Sequence, residues 1–193
     1  MLQVSTESRI INTSSVNGFW ASVGPHVPHA AYCAAKFAVK GFTEALITDL
    51  RINAPNVSCS VVMPGHIGTS IVENSRKLVR EKNANDPTDS EVQRARELYL
   101  RAGLPLDNVP DEHIRQVMQQ ESDDFRDKAL TSAEDAASII LKSVKEKRWR
   151  ILVGEDAEFL DQSVRADPES AYELEFYERV ANREMALNFD NGN

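Results

Sequence analysis

An α/β fold with a parallel sheet is predicted by three features of this sequence. Two short apolar runs, Arg9–Thr13 and Val57–Met63, flank a long stretch in which Phe37, Ala38, Phe42, Ala45, Leu46 and Leu50 recur at threes and fours, the helical period. Val57–Met63 is rich in β-branched residues with apolar members on both faces, as a parallel strand covered by helices is expected to be. A second helical pattern, opening at Thr131 or Ser132 and ending near Arg148, leads into a third short run at Arg150–Gly154. Strand, long helix and strand in that order make a βαβ unit.

The first run ends in Asn12, Thr13, Ser14 and Ser15, whose hydroxyls and amide suit the exit from a strand. The first helix is expected from about His29 to about Arg51, stopping ahead of Pro55 because the residue before a proline is biased away from helical backbone. Pro64 and Gly65 then end the second strand at the carboxyl edge of the sheet, where open α/β folds bind ligands. Ile71–Lys128 is highly charged and broken at Asp86-Pro87, Gly103-Leu104-Pro105 and Val109-Pro110, so two or three helices are expected, among them Ser90–Arg101 and Asp111 to about Arg126. In the next helix Glu134 and Asp135 occupy the first turn and Lys145, Lys147 and Arg148 the end, charges that complement the helix dipole. From Asp156 to about Leu187 one or two amphipathic helices are expected, broken at Asp167-Pro168, with a frayed tail over Asn188–Asn193.

The chemistry resides in Tyr32 and Lys36, four residues apart and so on one face of the first helix. A tyrosine hydroxyl is a poor acid or base at neutral pH, and an ammonium one turn away favours its phenolate. A serine hydroxyl at the strand exit could hold a carbonyl or alcohol oxygen while the tyrosine passes it a proton. Together these residue types make a proton-transfer site.

Asn12-Thr13-Ser14-Ser15, then Tyr32-x-x-x-Lys36, then Pro64-Gly65-His66-Ile67-Gly68-Thr69 resembles the short-chain dehydrogenase/reductase family. Three motifs in order are far more specific than Tyr-x-x-x-Lys alone. The resemblance implies catalytic roles for Ser15, Tyr32 and Lys36, with Tyr32 and Lys36 also touching NAD or NADP, and a cofactor-binding turn at Pro64, Gly65, Ile67 and Thr69. The loop between Ser15 and Tyr32 is longer than the family's usual one, which keeps Ser14 and Ser22 as alternatives for the serine role. The implied fold is the C-terminal portion of a doubly wound, Rossmann-like sheet, about three parallel strands with flanking helices, ordered with the strand at Arg9 beside that at Val57 and then that at Arg150. One partial domain over 1–193 is expected, with a catalytic βαβ unit and turn at 8–69, a helical substrate-binding insertion at 70–130 and a C-terminal helix, strand and helices at 131–193. The family's glycine-rich turn has no counterpart among the 8 glycines, and Met1-Leu2-Gln3 resembles the end of a preceding helix, so a fragment lacking the dinucleotide-binding front half is expected.

The resemblance implies hydride transfer between a nicotinamide cofactor and a small alcohol or carbonyl substrate, in a homo-oligomer. The alternative is a catalytically silent fragment that acts only as an association module. A net charge of −8 without a basic stripe argues against a nucleic-acid partner. No apolar run approaches the ~20 residues of a membrane span, the first 17 residues are too polar for a signal peptide, and Cys33 and Cys59 lack metal or redox spacing, so a cytoplasmic protein is expected. His26 and His29 form a His-x-x-His that no cluster completes into a metal site. Phe19 and Trp20 either line a substrate pocket or cover the sheet.

Overall fold

The computed structural model describes residues 7–24, 27–79, 87–101, 103–106 and 108–190. In chain order the elements are β1 (Ser8–Thr13), α1 (Ala30–Asn53), β2 (Val57–Pro64), β3 (Ile67–Gly68), α2 (Ile71–Val79), α3 (Asp89–Arg101) and α4 (Asp111–Asp127). There follow β4 (Thr131–Ser132), α5 (Ala133–Lys145), β5 (Arg150–Val153), α6 (Glu155–Ala166) and α7 (Leu174–Asp190), with single 3-10 turns at Val16–Gly18 and Ser170–Tyr172. The chain divides into two compact units, Met1–Ile67 with Leu130–Asn193, and Gly68–Ala129.

The first unit is built on a three-stranded parallel sheet in the order β1-β2-β5. Its register runs from Ser8 opposite Val57 to Thr13 opposite Val62, and from Val61 opposite Arg150 to Pro64 opposite Val153. Successive side chains of β2 point to opposite faces, and the core divides accordingly. Val57 and Cys59 pack with Leu46, Ile47, Leu50 and Ala54 of α1 and its end, whereas Val62 packs with Ala136, Ile140 and Val144 of α5 and with Ile151 and Val153. Helices therefore cover both faces of β2, and its buried polar residue Ser60 is satisfied by donating to the Arg148 carbonyl at 2.7 Å and accepting from Arg9 at 3.0 Å. Val61, Val62, Ile151 and Val153 are almost wholly buried, and full burial of such a side chain stabilises by about 1.5–3 kcal/mol. The doubly wound α/β architecture expected from the sequence is present.

α1 runs to Asn53, and the Ala54 N–H still donates to the Leu50 carbonyl, 2.8 Å, before Pro55 ends the helix. Ser132 caps α5 by accepting from the Asp135 N–H at 3.0 Å. In the second unit α3 and α4 share a core of Val92, Ala95, Ile114 and Met118. Arg96 there donates to the carbonyls of Leu106, 2.9 Å, and Val109, 2.6 Å, tying down the connection between the two helices. The acidic face of α4 is neutralised in part by Arg126, which bonds Asp123, Asp127 and Glu73.

The end of the chain differs from the frayed tail expected from Asn188. α7 continues to Asp190, since no proline or glycine interrupts its backbone ladder before Gly192. Residues 191–193, like Met1-Leu2-Gln3, His26 and the break at Asp86, lie outside the described residues.

Candidate active site

Because the three strands are parallel, their carboxyl ends share one edge of the sheet. Ser14 and Ser15 leave β1 there, Gly65 and His66 leave β2, and Gly154 to Asp156 leave β5. α1 must begin at the same edge to cross back along the sheet, which brings Tyr32, in its first turn, to the exit of β1.

The exit of β1 and α1 are laced together by hydrogen bonds. The Ser14 hydroxyl donates to the Lys36 carbonyl at 2.7 Å, and the Lys36 ammonium donates to the Thr13 carbonyl at 3.3 Å. That ammonium lies 5.5 Å from the centre of the Tyr32 ring, within cation–π range. The Tyr32 ring meets His29 edge-on at 5.3 Å, and its hydroxyl has no hydrogen-bond partner among the described residues. Tyr32 as a whole residue is 38% exposed. Gly18 makes this closeness possible, because a methyl group there would overlap the Ser14 hydroxyl and approach the Lys36 carbonyl to 2.9 Å.

The three serines are held differently. Ser14 spends its hydrogen on Lys36. Ser15, buried, accepts from the Asn17 N–H at 3.2 Å and caps the turn at Val16–Gly18, and among the described residues its own hydrogen has only the Asn17 side-chain oxygen at 3.4 Å. Ser22 accepts from the Tyr177 hydroxyl at 2.9 Å and from the Gly24 N–H at 3.2 Å. The loop is pinned further by Trp20, whose indole N–H donates to the Ala171 carbonyl at 2.7 Å and whose rings face Phe176 and Tyr177 at 5.5 and 5.4 Å. Trp20 is thus buried beneath the C-terminal segment, and Phe19 packs against the same cluster.

At the exit of β2, Pro64 ends the strand and the Gly65 N–H donates to the Val153 carbonyl at 2.9 Å. The His66 N–H donates to Asp156 Oδ2 at 2.6 Å. Ile67 packs beside Val62, Ala136, Ile151 and Val153. Thr69 belongs to the second compact unit, just ahead of α2. Burial pushes the Asp156 carboxyl above the ordinary range, against the His66 and Ala157 N–H groups that favour its charged form. Sequence reasoning passed over Asp156. Its signal, an acidic pair after Gly154 at a helix start, reads equally well as ordinary dipole complementation.

Among the described residues no group of three or more His, Cys, Asp or Glu side chains could hold a metal ion. No described helix is long and apolar enough to cross a membrane.

A family model for short chain dehydrogenases matches residues 1–79, the part that holds β1, α1 and β2. SadH of Mycobacterium tuberculosis is 30% identical over 161 residues, covering 83% of this chain and 45% of its own length. Nodulation protein G of Azospirillum brasilense is 41% identical over 73 residues, 38% of this chain and 27% of its own. The chain spans less than half the length of these curated relatives. Among solved structures, a short chain dehydrogenase/reductase from Burkholderia phymatum in complex with NAD superposes with a TM-score of 0.57 at 26% identity, covering 88% of this chain and 50% of the other.

Proposed function

This chain belongs to the short-chain dehydrogenase/reductase family, and on that premise we propose that it carries the proton-transfer side of an NAD- or NADP-dependent oxidoreductase acting on a small alcohol or carbonyl compound. The observation that carries this reading is the placement of the Lys36 ammonium between the Thr13 carbonyl and the Tyr32 ring, 5.5 Å from its centre, with the Tyr32 hydroxyl unengaged among the described residues. Tyr32 is the acid/base. Lys36 favours its phenolate and holds the nicotinamide ribose, and Ser15 orients the substrate oxygen. Pro64, Gly65, Ile67 and Thr69 offer backbone to the nicotinamide side.

The donor set fits that half of a dinucleotide: an exposed tyrosine, an ammonium and a turn of backbone amides gathered at the carboxyl edge of a parallel sheet. When bound, a reduced nicotinamide supplies the hydride for the carbonyl carbon. As the carbonyl π pair moves onto oxygen, Tyr32 gives that oxygen its proton, the Lys36 charge stabilises the phenolate left behind, and Ser15 keeps the oxygen in line. In the oxidative direction Tyr32 takes the proton back. A cytoplasmic homo-oligomer is the setting proposed for this activity.

The test is Tyr32→Phe in the full-length protein, assayed with a panel of alcohols and aldehydes. Turnover should vanish while cofactor affinity stays nearly intact, because only the transferable proton is removed. Retention of most activity would refute the assignment.

One observation favours a second reading for the 193 residues taken alone. Among the described residues β1 pairs on one side only, and α1 exposes Phe42 and Ile52, so the chain can act as an association module without turnover. Activity and association measured on the same preparation separate the two.

A further inference from the structure

We propose that Asp156 is a positioning residue for the turn at Gly65–His66, setting from α6 the backbone that faces the nicotinamide half of the cofactor. The proposal rests on the oxidoreductase reading above. Three features of the geometry point to it. The His66 N–H donates to Asp156 Oδ2 at 2.6 Å across 90 residues of sequence, a charge-assisted bond of the strong kind. Gly65 has no side chain where one would be needed to keep the carboxylate out, for an added methyl would overlap all three atoms of the Asp156 carboxyl group. Gly154, at φ +105°, leaves the same space from the other side; a methyl there would overlap Asp156 Oδ1 and reach 3.0 Å from the Thr131 hydroxyl.

The carboxylate is thus enclosed by two glycines, and the turn is clamped twice, by Val153 of β5 through Gly65 and by Asp156 of α6 through His66. The enclosure is costly. Asp156 Oδ1 is buried without a hydrogen-bond partner among the described residues, and burial disfavours the charged form of the group. A residue needed only to complement the dipole of α6 could stay in solvent, as Glu155 does, without intruding between two glycines. The position of Asp156 is explained by what it holds. Without it, the Gly65–His66 backbone keeps one anchor and can rotate, and the backbone that follows it toward the nicotinamide side loses its fixed direction.

The experiment compares Asp156→Ala and Asp156→Asn with the unsubstituted full-length protein, titrating NADH, NADPH and ADP-ribose, which lacks the nicotinamide. Asp156→Ala should weaken the preferred reduced dinucleotide about tenfold and leave ADP-ribose unchanged, since one charge-assisted bond is lost on the nicotinamide side alone. Asp156→Asn, whose amide oxygen can still accept from His66, should restore most of that loss. Hydrogen exchange at the His66 amide should speed up in the alanine variant and not in the asparagine one. Equal weakening of NADH and ADP-ribose, or of neither, overturns the positioning role. If the unsubstituted protein binds no dinucleotide, or Tyr32→Phe stays active, the oxidoreductase reading falls and takes this proposal with it. A dead Tyr32→Phe beside an unaffected Asp156→Ala sinks the positioning role alone.

Discussion

The hydroxyl of Ser14 donates to the backbone carbonyl of Lys36 at 2.7 Å while the Lys36 ammonium reaches back to the carbonyl of Thr13 at 3.3 Å. The two residues are tied in both directions, so the strand exit and the helix that bears Tyr32 move as one piece. Ser14 serves this tie with the hydrogen that a substrate-orienting serine would need.

Ser14→Ala should therefore cost stability more than chemistry. Loss of one buried hydrogen bond is worth about 1 kcal/mol, measurable by denaturant unfolding. Gly18→Ala should cost about 1–3 kcal/mol, because its methyl would press on the Ser14 hydroxyl and the Lys36 carbonyl together. Ser15→Ala should lower turnover by a larger factor than Ser14→Ala; the reverse order would move the serine role to Ser14.

Lys36→Ala removes the bond to Thr13 and the cation beside the Tyr32 ring in one step. Both turnover and cofactor affinity should fall, in contrast to Tyr32→Phe, where only turnover does. A Lys36→Ala protein that loses turnover with unchanged cofactor affinity would separate the ribose role from the electrostatic one.

Asp161, which is buried, and Asp156, which is half-buried, should respond oppositely to acid. Burial raises the Asp161 pKa, but hydrogen bonds and charge from Arg150 and Arg165 more than offset it and hold the carboxyl below its ordinary 3.8. A depressed folded-state value contributes stability that is present above the unfolded value and lost as pH falls through the folded one. Asp161→Asn should thus lower stability at neutral pH, by about 1.5–3 kcal/mol since the half-buried Arg150 loses its charged hydrogen-bond partner, and the deficit should shrink below pH 3.8. For Asp156 the value is raised, chiefly by burial, so ionisation costs stability above the folded value and that cost is relieved as pH falls toward 3.8. Asp156→Asn should remove this relief and make the acid side of the stability curve steeper. Unfolding curves from pH 7 to pH 3 check both signs.

The C-terminal helix α7 holds the loop after β1 through Trp20, Phe176 and the bond from the Tyr177 hydroxyl to Ser22. Trp20→Ala should cost about 3–5 kcal/mol, as large-to-small changes in packed clusters do. Tyr177→Phe should cost about 1 kcal/mol and change substrate KM more than kcat, since it loosens the loop without touching Tyr32. Equal effects on KM for every substrate in the panel would argue that the loop does not face substrate.

Phe42 and Ile52 are 63% and 74% exposed on α1, and β1 has an unpaired edge among the described residues. The 193-residue chain should therefore self-associate in sedimentation runs, with a melting transition that depends on concentration. A monodisperse monomer with a sharp, concentration-independent melt would show that this segment stands alone as a domain.

The α/β pattern was legible because burial writes its period into composition: β2 carries apolar residues on both faces, Val57, Cys59, Val61 and Met63 on one and Val62 on the other, and α1 repeats at threes and fours. Helix limits were legible where a local signal acts alone, as at Pro55 or the Ser132 cap. Ser14 and Ser15 were not distinguishable by the same means. They are neighbours of one residue type in one loop, and only the folded chain shows that Ser14 lies against Lys36, 22 residues away, while Ser15 turns to Asn17.

The sequence by itself determined the layered architecture, the order of its elements, and the shared helix face of Tyr32 and Lys36, since each depends on periodicity within a short window. Tertiary structure alone decided that Gly65 and Gly154 make room for one carboxylate, that Trp20 is covered by α7, and that Lys36 spans from Thr13 to the Tyr32 ring. The contacts of Gly65 with Asp156, of Trp20 with α7 and of Lys36 with Thr13 join segments tens of residues apart. Their partners are chosen by sheet register and helix placement, which no local pattern of residues encodes.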